Sequence, residues 1–201
     1  MGTSLQIILV LGILALNIFI SYFNARSVGQ VWDERNAHGT FMWALIWSGF
    51  IQAVLGFSMP IIGVLLGGLY LLGKLSPKAV EAGLSLWYLT AIIPLLGTGM
   101  IITIHSWIET YRDRSWTNIG ITAYNTYAMA SNVYSAATNI GPMFGKVMEF
   151  FSSDDEDNNS IKALVGAVVV MSFVGGYFLA AAVRDKYRGT LPAPVAQTAT
   201  A

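Results

Sequence analysis

The chain contains no cysteine among its 201 residues. This absence excludes disulfide bonds, thiolate catalysis and metal or cluster sites that use cysteine ligands. Charged residues are also scarce, at 11% against roughly 25% in soluble domains, whereas hydrophobic residues reach 55% and the mean hydropathy is +0.59. The formal net charge is zero, which gives no general affinity for nucleic acid. The composition predicts an integral membrane protein whose first partner is the lipid bilayer, with no nucleic-acid partner.

Apolar segments long enough to cross a bilayer, which needs about 20 residues of helix, occupy about 4–23, 40–73, 84–107 and 161–183. The segment 40–73 has no charged residue, and as one helix it would measure roughly 51 Å. Pro60 near its middle allows a kinked long helix or a tight two-helix hairpin. The long helix is favoured because two halves of about 17 residues leave no turn. We expect an all-α protein with about four transmembrane helices in one membrane domain, 1–188.

The basic residues suggest an orientation, because the last predicted span ends at Arg184, Lys186 and Arg188. The positive-inside rule assigns such a cluster to the cytoplasm. Four crossings then put both the N-terminus and the C-terminus in the cytoplasm and the whole of about 108–160 outside. Arg112 and Arg114 stand against this orientation, since they would lie on the outer side.

Three segments are expected outside the membrane. The first predicted helix extends past its span and turns at His38-Gly39. The acidic loop 152–160 lacks the spaced Asp, Asn and Gly pattern of a calcium loop, so we expect it to be solvated. The C-terminal tail 189–201 is rich in small residues and proline, a composition typical of a linker.

The uncharged stretch between Arg114 and Lys146 repeats two residue types every seven positions. On a helix this period returns to nearly the same face, drifting about 20° per heptad. We expect one semi-polar helix over 117–145, ended by Gly141-Pro142. The repeated positions are Asn118, Asn125, Asn132 and Asn139, together with Ala123, Ala130 and Ala137.

Three interpretations of this repeat stay open. The asparagines could form a homo-oligomer interface, because buried Asn specifies register and oligomer state in helical assemblies. They could line an aqueous pore, where uncharged amides give little charge selectivity. Alternatively, the helix could lie on the membrane with its tyrosines at headgroup level. If the first interpretation holds, replacing Asn125 and Asn132 with leucine should change the oligomer size.

Catalysis is not expected. The predicted spans contain no Asp, Glu or Arg, which argues against ion-coupled transport. The sequence offers no nucleophile with a base and no phosphate-binding glycine loop, so we predict neither an enzyme nor a cofactor. His105 and Glu109 share a helical face at i and i+4, but no third ligand is evident. We expect a hydrogen-bonded pair there and no metal site.

The glycines of the apolar segments are predicted to let helices approach closely. The pairs with helical spacing or direct adjacency are Gly63 and Gly67, and Gly175 and Gly176.

Short motifs in the first two thirds of the chain resemble a family of phage- and prophage-encoded polytopic membrane proteins. They are residues 24–29 (Asn-Ala-Arg-Ser-Val-Gly) with Trp32, the span 84–107 with Pro94 and its Gly97-x-Gly99, and residues 125–128 (Asn-Thr-Tyr-Ala). The resemblance covers about 23–137. It implies a four-span protein of a bacterial virus or mobile element, in the bacterial inner membrane, and it carries no activity over to this chain.

These observations together predict a non-enzymatic, self-associating structural or pore-like membrane protein. One alternative is an accessory subunit of a larger membrane complex, whose small-residue faces would meet foreign helices. A second alternative is a holin-like phage factor, which would permeabilise cells on expression.

Overall fold

The computed structural model describes residues 3–36, 39–153 and 159–190, with side chains from Leu11 onward. All regular structure in these residues is helical, as the composition predicted. Four of the helices, α1, α2, α3 and α5, are long and apolar enough to cross a membrane, which confirms an all-α integral membrane protein. The helices are α1 (Thr3–Val31, followed by a 3-10 turn at Trp32–Glu34), α2 (Gly39–Leu71), α3 (Pro77–Arg112), α4 (Trp116–Ser152) and α5 (Asn159–Lys186).

Helix α2 runs without interruption through Pro60, so the long-helix interpretation is confirmed. Helix α3 begins earlier than expected, because Ser76 accepts a hydrogen bond from Ala79 N at 3.3 Å and Pro77 takes the first helical position. His38, the acidic residues 154–157 and the tail residues 191–201 lie outside the described part of the chain.

The expectation that α4 stops at Gly141-Pro142 is wrong, since α4 continues to Ser152. Proline removes only one hydrogen bond from the helix ladder, and packing on α3 compensates for that loss. Phe150 is buried in the core beside α3, and two ion pairs join the same stretch of α4 to the start of α3. These pairs are Lys78–Glu149 at 2.8 Å and Lys146–Glu81 at 3.4 Å.

Consecutive helices run antiparallel. Ser21 of α1 faces Gly56 of α2, while Val28 faces Gly49. On the other side of α2, Gln52 donates to Leu95 O of α3 at 3.2 Å. Helices α1 and α5 run in the same direction, because Asp33 beyond α1 pairs with Arg188 beyond α5 at 2.6 Å. The beginning of α1 and the end of α5 therefore lie at opposite ends of the bundle.

The two ends of the bundle differ in their basic residues. We call the end formed by the C-terminal ends of α1, α3 and α5 the arginine end, because every arginine of the chain lies there, with Lys186. The hydrogen bond from Arg188 to Asp33 raises the pKa of the Arg188 guanidinium. We call the opposite end the lysine end, after Lys74, Lys78, Lys146 and Lys162.

Small residues let the central helices touch. Gly176 of α5 is buried against the backbone of α2, where a Cβ would lie 2.9 Å from Ser58 N. Gly83 of α3 would place a Cβ 2.8 Å from Leu66 Cδ1. The buried apolar residues between these helices form one cluster near each end, around Leu66 and Val165 and around Trp32 and Phe50.

Apart from Phe150 near its C-terminal end, helix α4 lies outside this core, and it packs side by side with α3 along its whole length. Near the arginine end, Thr122 Oγ1 donates to Ser106 O at 2.7 Å and Trp107 Nε1 donates to Thr126 Oγ1 at 3.1 Å. In the middle, a 2.8 Å hydrogen bond joins Tyr88 to the Ser135 hydroxyl. The ion pairs described above complete the contact at the lysine end.

Candidate functional site

The repeated asparagines and alanines occupy opposite faces of α4. An Asn and the Ala two positions before it are separated by about 200° around the helix axis, because each residue turns about 100°. Accordingly, all four asparagines are half-buried on the side of α3, whereas all three alanines are exposed. The asparagines and the alanines therefore repeat with the same period but lie on different surfaces of α4.

The outermost asparagines support the chain's own fold. Asn118 Nδ2 donates to Asp113 O at 2.9 Å and so fastens the turn between α3 and α4. Asn139 Nδ2 donates to Ser135 Oγ at 3.1 Å, and this hydroxyl in turn bonds to Tyr88 of α3. Both side chains therefore have partners within the chain.

The two central asparagines line a cavity of about 110 Å³ to which α1, α2, α3 and α4 all contribute. Its lining combines carboxamide and hydroxyl groups with apolar side chains and carries no formal charge. Water molecules occupy roughly 10–15 Å³ each by this measure, so the cavity has room for several. Asn125 and Asn132 share it with Ile20, Asn24, Gln52, Gly99, Ile102, Thr103, Tyr124, Ala128 and Met129.

Gln52 connects this cavity to the part of α3 that follows Pro94. Its Nε2 donates to Leu95 O and, at 2.9 Å, to Thr98 Oγ1, directly after Pro94. Sequence analysis missed Gln52, although it is the only carboxamide in the segment 40–73, and that isolation is the signal that could have found it. Polar side chains inside an apolar span commonly face the interior of a helix bundle.

The remaining lining groups leave donors and acceptors open to the cavity. Thr103 Oγ1 bonds to the backbone, to Gly99 O at 2.8 Å and Asn125 O at 3.3 Å. Within the described residues, the side-chain amides of Asn24, Asn125 and Asn132 have no hydrogen-bond partner. Such a lining can solvate water and small uncharged molecules. It offers neither a carboxylate nor a histidine for acid–base chemistry.

Opposite the cavity, α4 has an exposed outer face between residues 120 and 141. Its largest residues are Tyr127 and Tyr134, with 74% and 72% of their surface accessible. Between them lie small and hydroxyl-bearing side chains. We define this outer face by its exposed positions 120, 123, 127, 130, 131, 134, 137, 138 and 141.

The glycines predicted to pack helices behave differently from one another. Gly175 and Gly176 both lie against α2, and a Cβ at Gly175 would be 2.9 Å from Ile61 Cδ1. Gly63 and Gly67 have no atom within 4 Å of an added Cβ, so nothing in the described chain packs on them.

His105 and Glu109 are not joined by a hydrogen bond in the described structure. Glu109 instead pairs with Arg112 at 3.2 Å, and the His105 ring lies 6.2 Å from the ring of Phe41. Within the described residues, no group of three or more potential metal ligands converges.

The fold and the cavity define a polytopic helical membrane protein with an uncharged polar interior site. No family model, no curated protein and no solved structure matches the chain.

Proposed function

We propose that the protein assembles with copies of itself in the membrane through the outer face of α4, as a structural or pore-like component and not as an enzyme. The observation that carries the proposal is the composition of that face. Ala123, Ala130 and Ala137 lie exposed among glycines, hydroxyl groups and two tyrosines.

A face that meets lipid has a different composition, and α5 provides the comparison within this chain. Its exposed residues include Val170, Met171 and Phe178, which suit hydrocarbon. Small residues on a membrane helix instead favour contact with another helix, because they let backbones approach and leave hydroxyl groups to bond across the interface. Tyrosines at 127 and 134 would add apolar contact area on either side of Ala130.

The pore-like part of the proposal rests on the polar cavity. Asn125 and Asn132 open into a space inside one chain, so a polar path would run through each protomer and not between protomers. An uncharged lining favours water and small neutral solutes over ions.

We further infer that α4 crosses the membrane as a fifth span. It accompanies α3 along its length, and its uncharged stretch 115–145 is about 46 Å long. Five crossings put Arg112 and Arg114 on the same side as Arg184 and Arg188, which removes the conflict that four crossings create with the positive-inside rule. The C-terminus is then cytoplasmic and the N-terminus lies on the opposite side. The inner membrane of a bacterium and a phage origin, implied by the resemblance, complete this proposal.

The mass of the particle in nanodiscs tests the self-association. Native mass spectrometry is expected to give a defined multiple of the 21.8 kDa chain. Ala130→Trp should lower that multiple, because a bulky side chain prevents close approach of two α4 helices. Ala167→Trp is the matched control, since Ala167 is an exposed alanine on α5 and its replacement should leave the mass unchanged.

Other results would change the proposal in defined ways. A monomeric wild-type particle would contradict self-association and favour an accessory subunit of a larger complex. The double variant Asn125→Leu with Asn132→Leu should keep the wild-type mass. A lower mass for this variant would instead indicate that the repeated asparagines form the interface between protomers.

A further inference from the structure

A continuous apolar groove runs along the outside of α1, α2 and α5. It consists of two adjoining cavities of about 430 and 490 Å³ that share Ile18, Phe57 and Leu179. The first extends to Leu65 on α2, and the second extends to Tyr22 on α1. We call it the α1–α5 groove.

The groove has the length of one lipid leaflet. Its lining covers nine residues of α2, from Phe57 to Leu65, and five of α1, from Ile18 to Tyr22. Because Ser21 of α1 faces Gly56 of α2, Tyr22 lies near the level of residue 55, and the groove extends roughly 15 Å from there to Leu65. One leaflet contributes about half of the ~30 Å hydrocarbon core. The groove therefore fits an acyl chain that descends from the arginine end.

Tyr22 connects the apolar groove to a cationic group at its mouth. The Tyr22 hydroxyl is hydrogen-bonded to the Tyr187 hydroxyl, which lies just beyond α5. The Arg26 guanidinium lies 5.1 Å from the centre of the Tyr187 ring, and Lys186 Nζ lies 5.5 Å from it. Two cations and two hydroxyl groups thus converge where the groove opens.

In the part of the chain that the structure describes, no carboxylate neutralises these two cations. Nearby, Arg184 pairs with Asp185 at 2.8 Å and Arg188 pairs with Asp33. Within the described residues, neither Arg26 nor Lys186 has a carboxylate partner. Arginine and lysine at a membrane surface attract phosphate, and basic pockets between membrane helices bind anionic headgroups.

We propose that the α1–α5 groove binds one anionic phospholipid from the leaflet at the arginine end. One acyl chain lies against Ile18, Phe57 and Leu179, and the headgroup phosphate lies between Arg26 and Lys186. The Tyr22 and Tyr187 hydroxyl groups supply further hydrogen bonds. This inference stands apart from self-association through α4, because it uses the opposite side of the bundle.

Lipid retention in native mass spectrometry tests the site. The full chain is released from nanodiscs that contain equal amounts of phosphatidylglycerol and phosphatidylcholine. We expect one phosphatidylglycerol per chain to be retained. Arg26→Gln with Lys186→Gln should weaken its binding roughly thirtyfold, since each cation near the surface contributes about 1 kcal/mol. Lys74→Gln with Lys78→Gln, at the lysine end, removes the same charge and should retain the lipid.

A second variant separates the groove from the cations. Ala15→Phe fills the groove from α1, where Ala15 is exposed, and leaves Arg26 and Lys186 unchanged. It should release the lipid while thermal unfolding stays at the wild-type temperature. Equal retention by the Arg26 and Lys186 double variant would overturn the proposal, as would equal retention of phosphatidylcholine. Displacement of the lipid by millimolar inorganic phosphate would also overturn it, because the contacts of the acyl chain with the groove would then contribute nothing to the binding affinity.

Discussion

Gly176→Leu is expected to prevent the chain from forming its native bundle. A Cβ at this position meets backbone atoms of α2, including Ser58 N at 2.9 Å and Val54 O. A flexible side chain could move aside, but two helix backbones can only separate, and separation opens the core around them. Overpacking a core typically costs 1–3 kcal/mol, and we expect more than about 3 kcal/mol here because backbone must shift. Thermal unfolding of the extracted protein, followed by circular dichroism, measures the loss.

A leucine elsewhere on α5 provides the control for this prediction. Gly166 has no atom within 4 Å of an added Cβ, so Gly166→Leu should unfold at or above the wild-type temperature. Gly175→Ala should fall between the two, because its neighbour is the movable end of the Ile61 side chain. If Gly176→Leu unfolded at the wild-type temperature, α2 and α5 would not pack as described.

Five membrane crossings are expected to give each single-cysteine variant complete labelling from one side of the membrane and none from the other. The chain has no cysteine of its own, so Arg114→Cys, Thr190→Cys and Lys74→Cys each carry one reactive thiol. If α4 crosses the membrane with α3, Arg114→Cys and Thr190→Cys react from the same side and Lys74→Cys reacts from the other. All three positions are exposed in the structure. Labelling intact cells with a membrane-impermeant maleimide, before and after permeabilisation, gives the assignment.

The four-crossing topology makes the reverse prediction for each pair. Arg114→Cys would then be labelled from the side opposite to Thr190→Cys, and Lys74→Cys from the same side as Thr190→Cys. That pattern would contradict a membrane-crossing α4. Labelling of a cysteine at the exposed Ser76 should follow Lys74→Cys in either topology and so checks the assignment of that side with a second position.

Composition was sufficient to predict the four apolar helices, because a segment without charge in a hydrophobic chain has few alternatives to a membrane helix. It was also sufficient for the continuous α2, since 40–73 leaves no residues for a turn at Pro60. The extent of α4 could not be read in the same way. Its last ten residues beyond Pro142 are held by tertiary contacts such as Lys78–Glu149 and the burial of Phe150.

The heptad repeat predicted which residues share a face, but a period does not identify what that face touches. Asn125 and Ala130 recur with the same spacing, and only the packing of α4 on α3 turns one inward and the other outward. The cavity could not be predicted from the sequence for a related reason. Its lining comes from four helices, and Gln52 is far in sequence from Asn125. Local patterns carry no information on such long-range convergence.

Cysteine cross-linking at Ala130 in native membranes tests the central claim, self-association through the outer face of α4, most directly. Ala130→Cys places a thiol at the middle of that face, and oxidation should convert most of the protein into a covalent dimer. Ala167→Cys, on the exposed face of α5, should stay monomeric under the same treatment. Equal cross-linking of both variants, or none at Ala130→Cys, would contradict an assembly built on α4.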